Sequence, residues 1–496
     1  MDERRALSPD LVLDLGNKGI LGMAAIDRAD GGLTFDQQLK IEEQLAAIDI
    51  TLAAFVGVNN ALGIVPIRKF GTEWQRRHLP ELAAGRVLAA FAFTEPGAGS
   101  DPRGMESRAV RQADGGWLLS GTKWLIGTGK WAGLIVVLAN AFDGNKALGA
   151  TAFLVPNDLE GVVQGEETLT LGLRAMVQNH IDFENVLLPS DAVLGAVGGG
   201  FDVANEAMQL GRIGIGAIAL GALKRCLQIA VRYTERRQIG DGRLIDRALV
   251  QEQLLENACR VSLIEHAVRA CGTALDTDGT VPVAFSMALK IIASESTWNT
   301  VDRTMQLLGG RGYDEANGVA QMLRDARVLR IFEGPTETLA TYVGALALFK
   351  TRHFAADLQS FLSEPELPTA TTGIIHLFKE AIARLPASGK SRRIERLSFE
   401  LGDVLSWHLL AETLKRRVPD PLDAVRVWTD RIIREKHVRA DRLLKAPVPE
   451  HHSPIWHLLV QEIETDFGLG PAFKAYERQG TDALLRPVIP PAVGLR

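Results

Sequence analysis

The sequence has few of the features that mark several large classes of protein. Its three cysteines, Cys226, Cys259 and Cys271, are widely spaced, which excludes a disulfide framework and a CxxC metal or redox motif. The formal net charge is −5, so there is no overall basic field to bind nucleic-acid phosphates. The most apolar stretches, 133–142 and 213–223, are shorter than the roughly 18 residues of a membrane span. These absences indicate a reduced, intracellular protein.

The first residues also lack the pattern of a targeting segment. Acids lie at Asp2 and Glu3, where a secretory or organelle signal has bases followed by an apolar run. We therefore expect a cytoplasmic protein. Hydrophobic residues make up 46% of the 496 and charged residues 23%, which is enough apolar side chain for several cores. At roughly 150 residues a domain, the length indicates about three domains.

Changes of hydrophobic periodicity divide the chain into four parts. Residues 1–86 show the period of helices, and 87–200 show short alternating runs between Gly, Asn, Asp and Pro clusters. Helical periodicity returns in 201–350, and a further helical stretch, 351–496, begins with a segment that contains Pro and Ser. The sequence therefore predicts an α+β fold with a helical domain, a central β domain, a helical bundle and an added helical domain.

A glycine-rich loop follows the first predicted strand, 89–93. Residues 93–101 have the sequence FTEPGAGSD, in which glycines let backbone amides approach an anionic or flat aromatic ligand. Thr94 and Ser100 add hydroxyl donors. An isolated loop of this composition is more often an ordinary turn, so the rest of the chain has to decide between the two interpretations.

Three further motifs carry residues suited to chemistry. RIFEGP at 330–335 places Glu333 after apolar residues, where burial raises a carboxyl pKa toward the range of a general base. GGRGY at 309–313 ends a predicted helix in glycines, and YTERRQIG at 233–240 ends another with arginines able to bind a pyrophosphate. Each motif also has a simpler explanation. Glu333 could be a solvated surface charge, GGRGY a helix C-cap, and the arginines of YTERRQIG cations that the helix dipole favours at a helix C-terminus. Because GGRGY follows a helix rather than a strand, a Rossmann site is unsupported.

Together and in this order, the motifs resemble those of the acyl-CoA dehydrogenase family. The resemblance runs from about Leu11 to Phe349 and includes GTKWLIGTG at 121–129 and LGRI at 210–213. It implies an amino-terminal helical domain, a central β-barrel-like domain and a carboxyl-terminal four-helix bundle. Residues 351–496 look like the extra helical domain of very-long-chain members, on pattern rather than motif.

The resemblance implies FAD-dependent oxidation of a saturated acyl thioester to the trans-2-enoyl thioester. Glu333 matches the family's base, which removes the α-proton while the β-hydride passes to flavin N5. The backbone N–H of Glu333 and a ribityl hydroxyl of FAD would polarise the thioester carbonyl. Some relatives carry the base at the position that is Gly211 here, so only Glu333 is available. The implied substrate is an acyl-CoA of fatty-acid β-oxidation, or an acyl-carrier protein, and the implied electron acceptor is an electron-transferring flavoprotein.

The resemblance also implies which residues contact FAD and substrate. The FAD contacts are Phe93, Thr94, Ser100, Leu125, Gly127, Arg236, Gln238, Gln306, Gly310, Pro335 and Glu337, and the substrate contacts are Ser100, Gly211, Arg212 and Phe332. Arg236 and the residues from Gln306 to Gly310 serve the FAD of a neighbouring subunit, which implies a homodimer or a homotetramer. No metal site is expected.

Three places depart from the family's pattern. Leu125 and Gly127 stand where many members have a Trp and a Thr against the flavin, with Trp124 one place early. Ile239 replaces a common aromatic residue, and Pro335 replaces a hydroxyl residue that donates to FAD. These differences bear on redox potential and electron acceptor rather than on the base.

Other functions on the same fold stay open. Loss of the flavin-flanking Trp suits an oxidase that uses O2, and a catalytically idle member could serve binding or assembly. A flavin monooxygenase commonly lacks the glutamate base, so Glu333 argues against it. Residues 431–445 carry six bases against two acids, which could lie on an anionic membrane surface. A surface helix with snorkelling arginines is the favoured explanation of that segment.

Overall fold

Helices make up most of the described amino-terminal region. The computed structural model describes residues 2–3, 5–27, 30–277, 279–362, 366–385, 390–414 and 423–445. The helices of the first part are α1 Pro9–Asn17, α2 Phe35–Ile48, α3 Ile50–Gly57, α4 Val65–Phe70, α5 Glu73–Arg76 and α6 Leu79–Ala83. Helices α2 and α5 begin with capping boxes, in which Thr34 pairs with Gln37 and Thr72 with Gln75. Side chains thereby satisfy backbone N–H groups that the first helical turn leaves free.

A π-helical turn, Val58–Ile64, joins α3 to α4 and ties the amino-terminal helices to the sheet. The side-chain oxygen of Asn60 accepts from the Ala24 N–H at 3.0 Å. The side-chain oxygen of Asn59 accepts from the Ala89 N–H, also at 3.0 Å, at the start of the first strand. Both asparagines are buried, so these bonds fix the turn between the helices and the sheet.

The central domain is one mixed sheet of eight strands. The strands are β1 Ala89–Ala92, β2 Arg108–Arg111, β3 Trp117–Gly127, β4 Leu134–Asp143, β5 Lys146–Pro156, β6 Val162–Glu167, β7 Gln178–Leu188 and β8 Val193–Leu194. Their order is β6-β7-β3-β2-β4-β5-β8, and β1 pairs in parallel with β4, with Ala89 opposite Leu134. The residues of β4 from 134 to 139 are all buried because both faces of the sheet are covered.

Long helices form the carboxyl-terminal domain. The first is α7 Gly200–Arg236, which is followed by the short hairpin strands β9 Gln238–Ile239 and β10 Gly242–Arg243. The helices after the hairpin are α8 Ala248–Thr277, α9 Val283–Leu308, α10 Gly310–Tyr313, α11 Val319–Val328 and α12 Thr336–Phe349. Every residue of α7 from 213 to 223 is buried, because α2, α8 and α9 surround this helix. The predicted α+β fold, with its order of helical, β and helical domains, is confirmed.

Two helical stretches, 50–70 and 200–236, are long and apolar enough by composition to cross a membrane. In their most apolar windows, 78% and 72% of the residues are buried inside the protein. Their apolar side chains therefore belong to the protein's own core.

The helices beyond residue 350 pack on the bundle. They are α13 Thr351–Leu362, α14 Thr369–Ala383, α15 Lys390–Leu414 and α16 Asp423–Lys445. Gly344 of α12 faces the Ser398 carbonyl and Gly402 of α15 faces the Ala340 carbonyl, with no room for a Cβ at either glycine. Helices α8, α9, α12 and α15 consequently share one hydrophobic core across the predicted boundary at 350. The predicted breaks at 386–391 and 419–421 lie largely or wholly outside the described residues, as does 446–496.

Helix α16 contains the basic segment 431–445. Arg431 binds Glu256 at 2.8 Å, Lys436 binds Asp403 at 2.6 Å, and Arg439 binds Glu400 at 3.2 Å. Half of the six cations therefore face carboxylates of the protein itself. These ion pairs support the surface-helix interpretation, and membrane contact stays a prediction.

Candidate active site

Glu333 lies in the tight turn between α11 and α12. Its φ is +56° and that of Gly334 is +99°, so both residues adopt the left-handed region. A residue with a Cβ is destabilised there by about 1–2 kcal/mol. Two cations hold the turn: Arg212 Nε donates to the Glu333 carbonyl at 3.0 Å, and Lys290 Nζ donates to the Gly334 carbonyl at 2.6 Å. The strained backbone is thus fixed from two helices, α7 and α9.

The Glu333 carboxyl group closes one end of a narrow cavity between α3, the π-helical turn and α7. The apolar residues that line it are Ala54, Val58, Leu62, Ile215, Ile218 and Phe332. Although the residue as a whole is partly exposed, its Oε2 is buried and has no hydrogen-bond partner in the described chain. A Cβ built on Gly211 would lie 3.1 Å from the Glu333 Cδ. Glycine at 211 therefore gives the carboxyl group its place in the cavity.

Burial raises the pKa of Glu333 to about 7, against the opposing effect of the nearby Arg212 and Lys290 charges. Lys290 is fully buried, and burial lowers its pKa to about 8, with Glu333 acting in the opposite direction. A carboxyl group with a pKa near neutrality is suited to accept a proton and to release it again. Sequence reasoning missed Lys290, although a lone lysine within the apolar run 284–293 was the available signal.

A second carboxyl group, that of Glu42, lies on the wall of the same cavity. Glu42 is 7% exposed, its Oε2 has no hydrogen-bond partner in the described chain, and burial raises its pKa to about 7. Sequence reasoning missed this residue too. The signal was its spacing: Leu39, Glu42, Glu43 and Ala46 follow the i, i+3, i+4, i+7 pattern of a buried helix face.

A buried ion pair fixes the glycine-rich loop after β1. Lys123 of β3 is fully buried and donates to Glu95 Oε1 at 2.7 Å and to the Phe93 carbonyl at 3.2 Å. Glu95 also accepts from the backbone N–H groups of Glu106 at 2.6 Å and Ser107 at 3.1 Å. Because the carboxylate has several donors, its burial is compensated. Sequence reasoning assigned no role to either member of this pair.

The same loop leaves an open surface beside β3. A Cβ built on Gly97 or Gly99 would meet no atom within 4 Å, and Ser100 is exposed. The Trp124 N–H donates to the Thr94 carbonyl at 2.9 Å, which joins the loop to β3. Next to this contact, Leu125 is 38% exposed with φ +55°, where the pairing of β3 with β7 shifts register. The predicted residues Phe93, Thr94, Ser100, Leu125 and Gly127 therefore belong to one loop and the strand bound to it.

The remaining predicted site residues form two groups: those that do not line the Glu333 cavity and those that lie close to Glu333. Arg236, Gln238, Gln306 and Gly310 are exposed at the ends of α7 and α9 and join no cavity with Glu333. Pro335 caps α12 and Glu337 is exposed in its first turn. Gly211, Arg212 and Phe332 lie beside Glu333, and their predicted contact with substrate stays a prediction. Within the described ranges, no group of three or more His, Cys, Asp or Glu is placed to hold a metal ion.

Comparison with known protein families identifies three consecutive domains. The acyl-CoA dehydrogenase N-terminal domain matches residues 1–86, the middle domain matches 90–186, and the C-terminal domain matches 198–348.

Curated relatives give the same result. The very long-chain specific acyl-CoA dehydrogenase of Bos taurus is 32% identical over 336 residues, which are 66% of this chain and 51% of the relative. The matched stretch thus spans about half the length of that relative. The short-chain specific acyl-CoA dehydrogenase of Bos taurus is 32% identical over 342 residues, 68% of this chain and 82% of the relative.

Solved structures extend the comparison. Butyryl-CoA dehydrogenase from Megasphaera elsdenii has a TM-score of 0.66 at 28% identity, covering 70% of this chain and 92% of its own. An acyl-CoA dehydrogenase complexed with FAD from Bacillus anthracis has a TM-score of 0.76 at 23% identity, covering 92% of this chain and 85% of its own. The second match shows the fold alone and reaches beyond the three family domains. From its motifs, its fold and these matches, the chain belongs to the acyl-CoA dehydrogenase family.

Proposed function

We propose that this protein is an FAD-dependent dehydrogenase that converts a saturated acyl thioester to the trans-2-enoyl thioester, with Glu333 as the base. The observation that carries the proposal is the environment of the Glu333 carboxyl group. This group faces an apolar cavity, its pKa is raised to about 7, and its Oε2 has no hydrogen-bond partner in the described chain. A surface carboxylate has none of these properties. The family membership of the chain adds independent support.

In the proposed reaction the thioester lies in the cavity with its α-carbon at the Glu333 carboxylate. An α-hydrogen next to a thioester is weakly acidic, so a desolvated carboxylate and a polarised carbonyl are both needed to remove it. Glu333 takes the α-proton, and its backbone N–H donates to the thioester oxygen. Arg212 and Lys290 hold the carbonyls of the strained turn, so the carboxylate stays in place during the transfer. FAD, when bound, would supply the acceptor for the β-hydrogen and its electron pair, so that loss of the α-proton to Glu333 together with this hydride would leave a double bond between the α- and β-carbons.

The residues of the loop and β3 fit a flat flavin. A Cβ at Gly97 or Gly99 would meet no atom within 4 Å, so the backbone there is open to a flat ring, and Thr94, Leu125 and Gly127 are the residues that would hold it. The Lys123–Glu95 pair keeps this surface rigid.

We also propose a homodimer or homotetramer, in which Arg236, Gln238, Gln306 and Gly310 bind the FAD of a neighbouring subunit. Their exposure on a single chain supports this arrangement. Light scattering with FAD quantification tests it, and a monomer that holds one FAD would contradict it.

The test of the activity is anaerobic titration of the purified protein with saturated acyl-CoAs of graded length. The flavin absorbance of the wild-type protein should bleach, whereas Glu333→Gln should keep its FAD and fail to bleach because an amide cannot take the proton. The isosteric variant leaves the cavity filled, so loss of FAD is not expected. Bleaching in the variant would place the base elsewhere.

We propose an electron-transferring flavoprotein as the electron acceptor. A similar solved structure, with a TM-score of 0.66 and 26% identity over 70% of this chain, is described as electron transferring flavoprotein of Acidaminococcus fermentans. Turnover in air with and without an added flavoprotein separates this acceptor from O2. Rapid peroxide release would instead identify an oxidase, for which the exposed Leu125 in place of an aromatic residue is the structural reason.

A further inference from the structure

The Glu42 carboxyl group is buried, and its Oε2 has no hydrogen-bond partner in the described chain. The next residue, Glu43, shows the usual arrangement of a buried acid. Glu43 is also buried and pairs with Lys224 at 2.7 Å and with Arg269. Burial raises the pKa of the Glu42 carboxyl group, and no charged group of the described residues offsets this effect. An unpartnered polar atom in an apolar interior is destabilising by about 1–3 kcal/mol, so the fold gains nothing from it. Its use has to come from something that enters the cavity.

Glu42 and Glu333 face the same side of α7. A Cβ on Gly214 would lie 3.0 Å from Glu42 Oε2, as a Cβ on Gly211 would lie 3.1 Å from Glu333 Cδ. Residues three apart share a helix face and differ by about 4.5 Å along the helix axis. An acyl chain with its α-carbon at Glu333 and its tail along the cavity therefore passes Glu42 within a few carbons.

A second cavity adjoins the first at Glu42. It shares Glu42, Ala61 and Gly214 with the first cavity and is otherwise lined by residues such as Phe35, Val65 and Leu275. The Asn60 amide bonds to Ala24 and Val56, and the Gln38 side-chain N–H donates to the Leu33 carbonyl. Among the described residues that line both cavities, Glu42 has a buried acceptor, its Oε2, without a hydrogen-bond partner.

We propose that Glu42 binds a hydrogen-bond donor carried by the acyl chain, so that the substrate is a thioester with a hydroxyl or a protonated amine a few carbons from the reacting bond. This inference rests on the proposed dehydrogenation. Such a donor supplies the partner that the Glu42 Oε2 lacks within the described chain. A plain alkyl chain leaves the carboxyl group unpaired, which is the situation in which a polar site discriminates most strongly against an apolar analogue.

The experiment compares three thioesters of equal chain length: hexanoyl-CoA and its derivatives with a terminal hydroxyl or a terminal amine. A second series moves the hydroxyl stepwise toward the thioester. The rate of anaerobic flavin reduction is measured for wild type, Glu42→Gln and Glu42→Leu. Dissociation constants are measured by calorimetry in the Glu333→Gln background, where no turnover occurs.

The wild-type protein should reduce its flavin at least about tenfold faster, at low substrate, with a hydroxyl or an amine than with the plain chain. Glu42→Gln should keep the preference for the hydroxyl and lose that for the amine, because an amide accepts a hydrogen bond without carrying charge. Glu42→Leu should prefer the plain chain.

The opposite results overturn the inference. In the rate measurements, wild type would reduce its flavin faster with the plain chain, and Glu42→Leu would leave that preference unchanged. In the calorimetry, all three thioesters would have equal dissociation constants. If Glu42→Leu fails to fold, Glu42→Gln and the calorimetry still decide the matter. A protein whose flavin no thioester reduces would instead refute the proposed dehydrogenation, and this inference would fall with it.

Discussion

The two ends of the cavity each hold a buried carboxyl group against a glycine of α7, but they differ in what surrounds it. At one end Glu333 has a left-handed backbone, and Arg212 and Lys290 hold the turn. At the other end Glu42 lies on a regular helix, and no cation from the described part of the chain offsets its burial. Burial raises the pKa of both groups to about 7.

The difference shows that burial alone does not identify a base. A base has to exist as a carboxylate and to keep its position while its charge changes, and nearby cations with a fixed backbone provide both. A binding group needs only to accept a hydrogen bond, which a carboxyl group without cations can do in either protonation state.

The largest expected effect comes from replacing the two acids in turn. Glu333→Gln should slow flavin reduction by hexanoyl-CoA at least about 1000-fold, since it removes the group that takes the proton. Glu42→Gln should leave that rate within about threefold, because the plain chain makes no bond to Glu42. Anaerobic stopped-flow absorbance measures both rates. Equal losses in the two variants would mean that both acids take part in proton transfer.

The two glycines of α7 give a finer test. A Cβ at 211 would press on the Glu333 carboxyl group at 3.1–3.2 Å, so Gly211→Ala should displace the base and lower the rate about 10- to 100-fold. Gly214→Ala presses only on Glu42, at 3.0 Å, and should change the rate with hexanoyl-CoA little.

Alanine favours helix formation by about 1 kcal/mol over glycine, which opposes the cost of the close contact, and the melting temperature of each variant separates unfolding from displacement of the base. If Gly214→Ala slowed flavin reduction by hexanoyl-CoA and Gly211→Ala did not, the roles assigned to Glu42 and Glu333 would be reversed.

The sequence could predict features that depend on residues close together in the chain. Motifs that are contiguous in the chain pointed to Glu333, the loop 93–101 and the residues Gly211 and Arg212, and the helical periodicity of 201–350 agrees with the long helices α7, α8 and α9. Within 87–200, strands β2 and β6 have no clear signal of their own, because four and six residues of mixed polarity show no alternation.

The contacts that complete the site join distant parts of the chain. Lys290 reaches Gly334, Lys123 reaches Glu95, and Glu42 meets Gly214 only after α2, α7 and α9 have packed. A single sequence shows that a polar residue occupies an apolar helix face, as with Lys290 and Glu42, but not which group it meets there. That information is tertiary.

The pH dependence sharpens the contrast between the ends. Since Glu333 must be ionised to accept a proton and its pKa is about 7, kcat/KM should rise with pH through about 7 and then level off. The Lys290 charge lowers the pKa of Glu333, so Lys290→Met should move the midpoint to higher pH and slow the reaction more at pH 7 than at pH 9, where only the lost hydrogen bond to the Gly334 carbonyl counts. Lys290→Arg keeps the charge and serves as the control. An unmoved midpoint in Lys290→Met would show that the lysine only supports the turn.

The smallest effect on activity, and the last test of the comparison, concerns Glu42 and stability. Because burial raises its pKa from 4.5 to about 7, the folded protein keeps a proton that the unfolded chain releases in this window. Stability is therefore lost as pH rises from about 4.5 to 7, by up to about 3 kcal/mol from this group. Glu42→Gln cannot ionise and should melt at a higher temperature than wild type at pH 8 but not at pH 5. Glu43→Gln, one residue away, should melt lower at both pH values, because it weakens the pairs with Lys224 and Arg269. If both variants melted lower at pH 8, Glu42 would have a partner in the folded protein and would not be free to bind substrate.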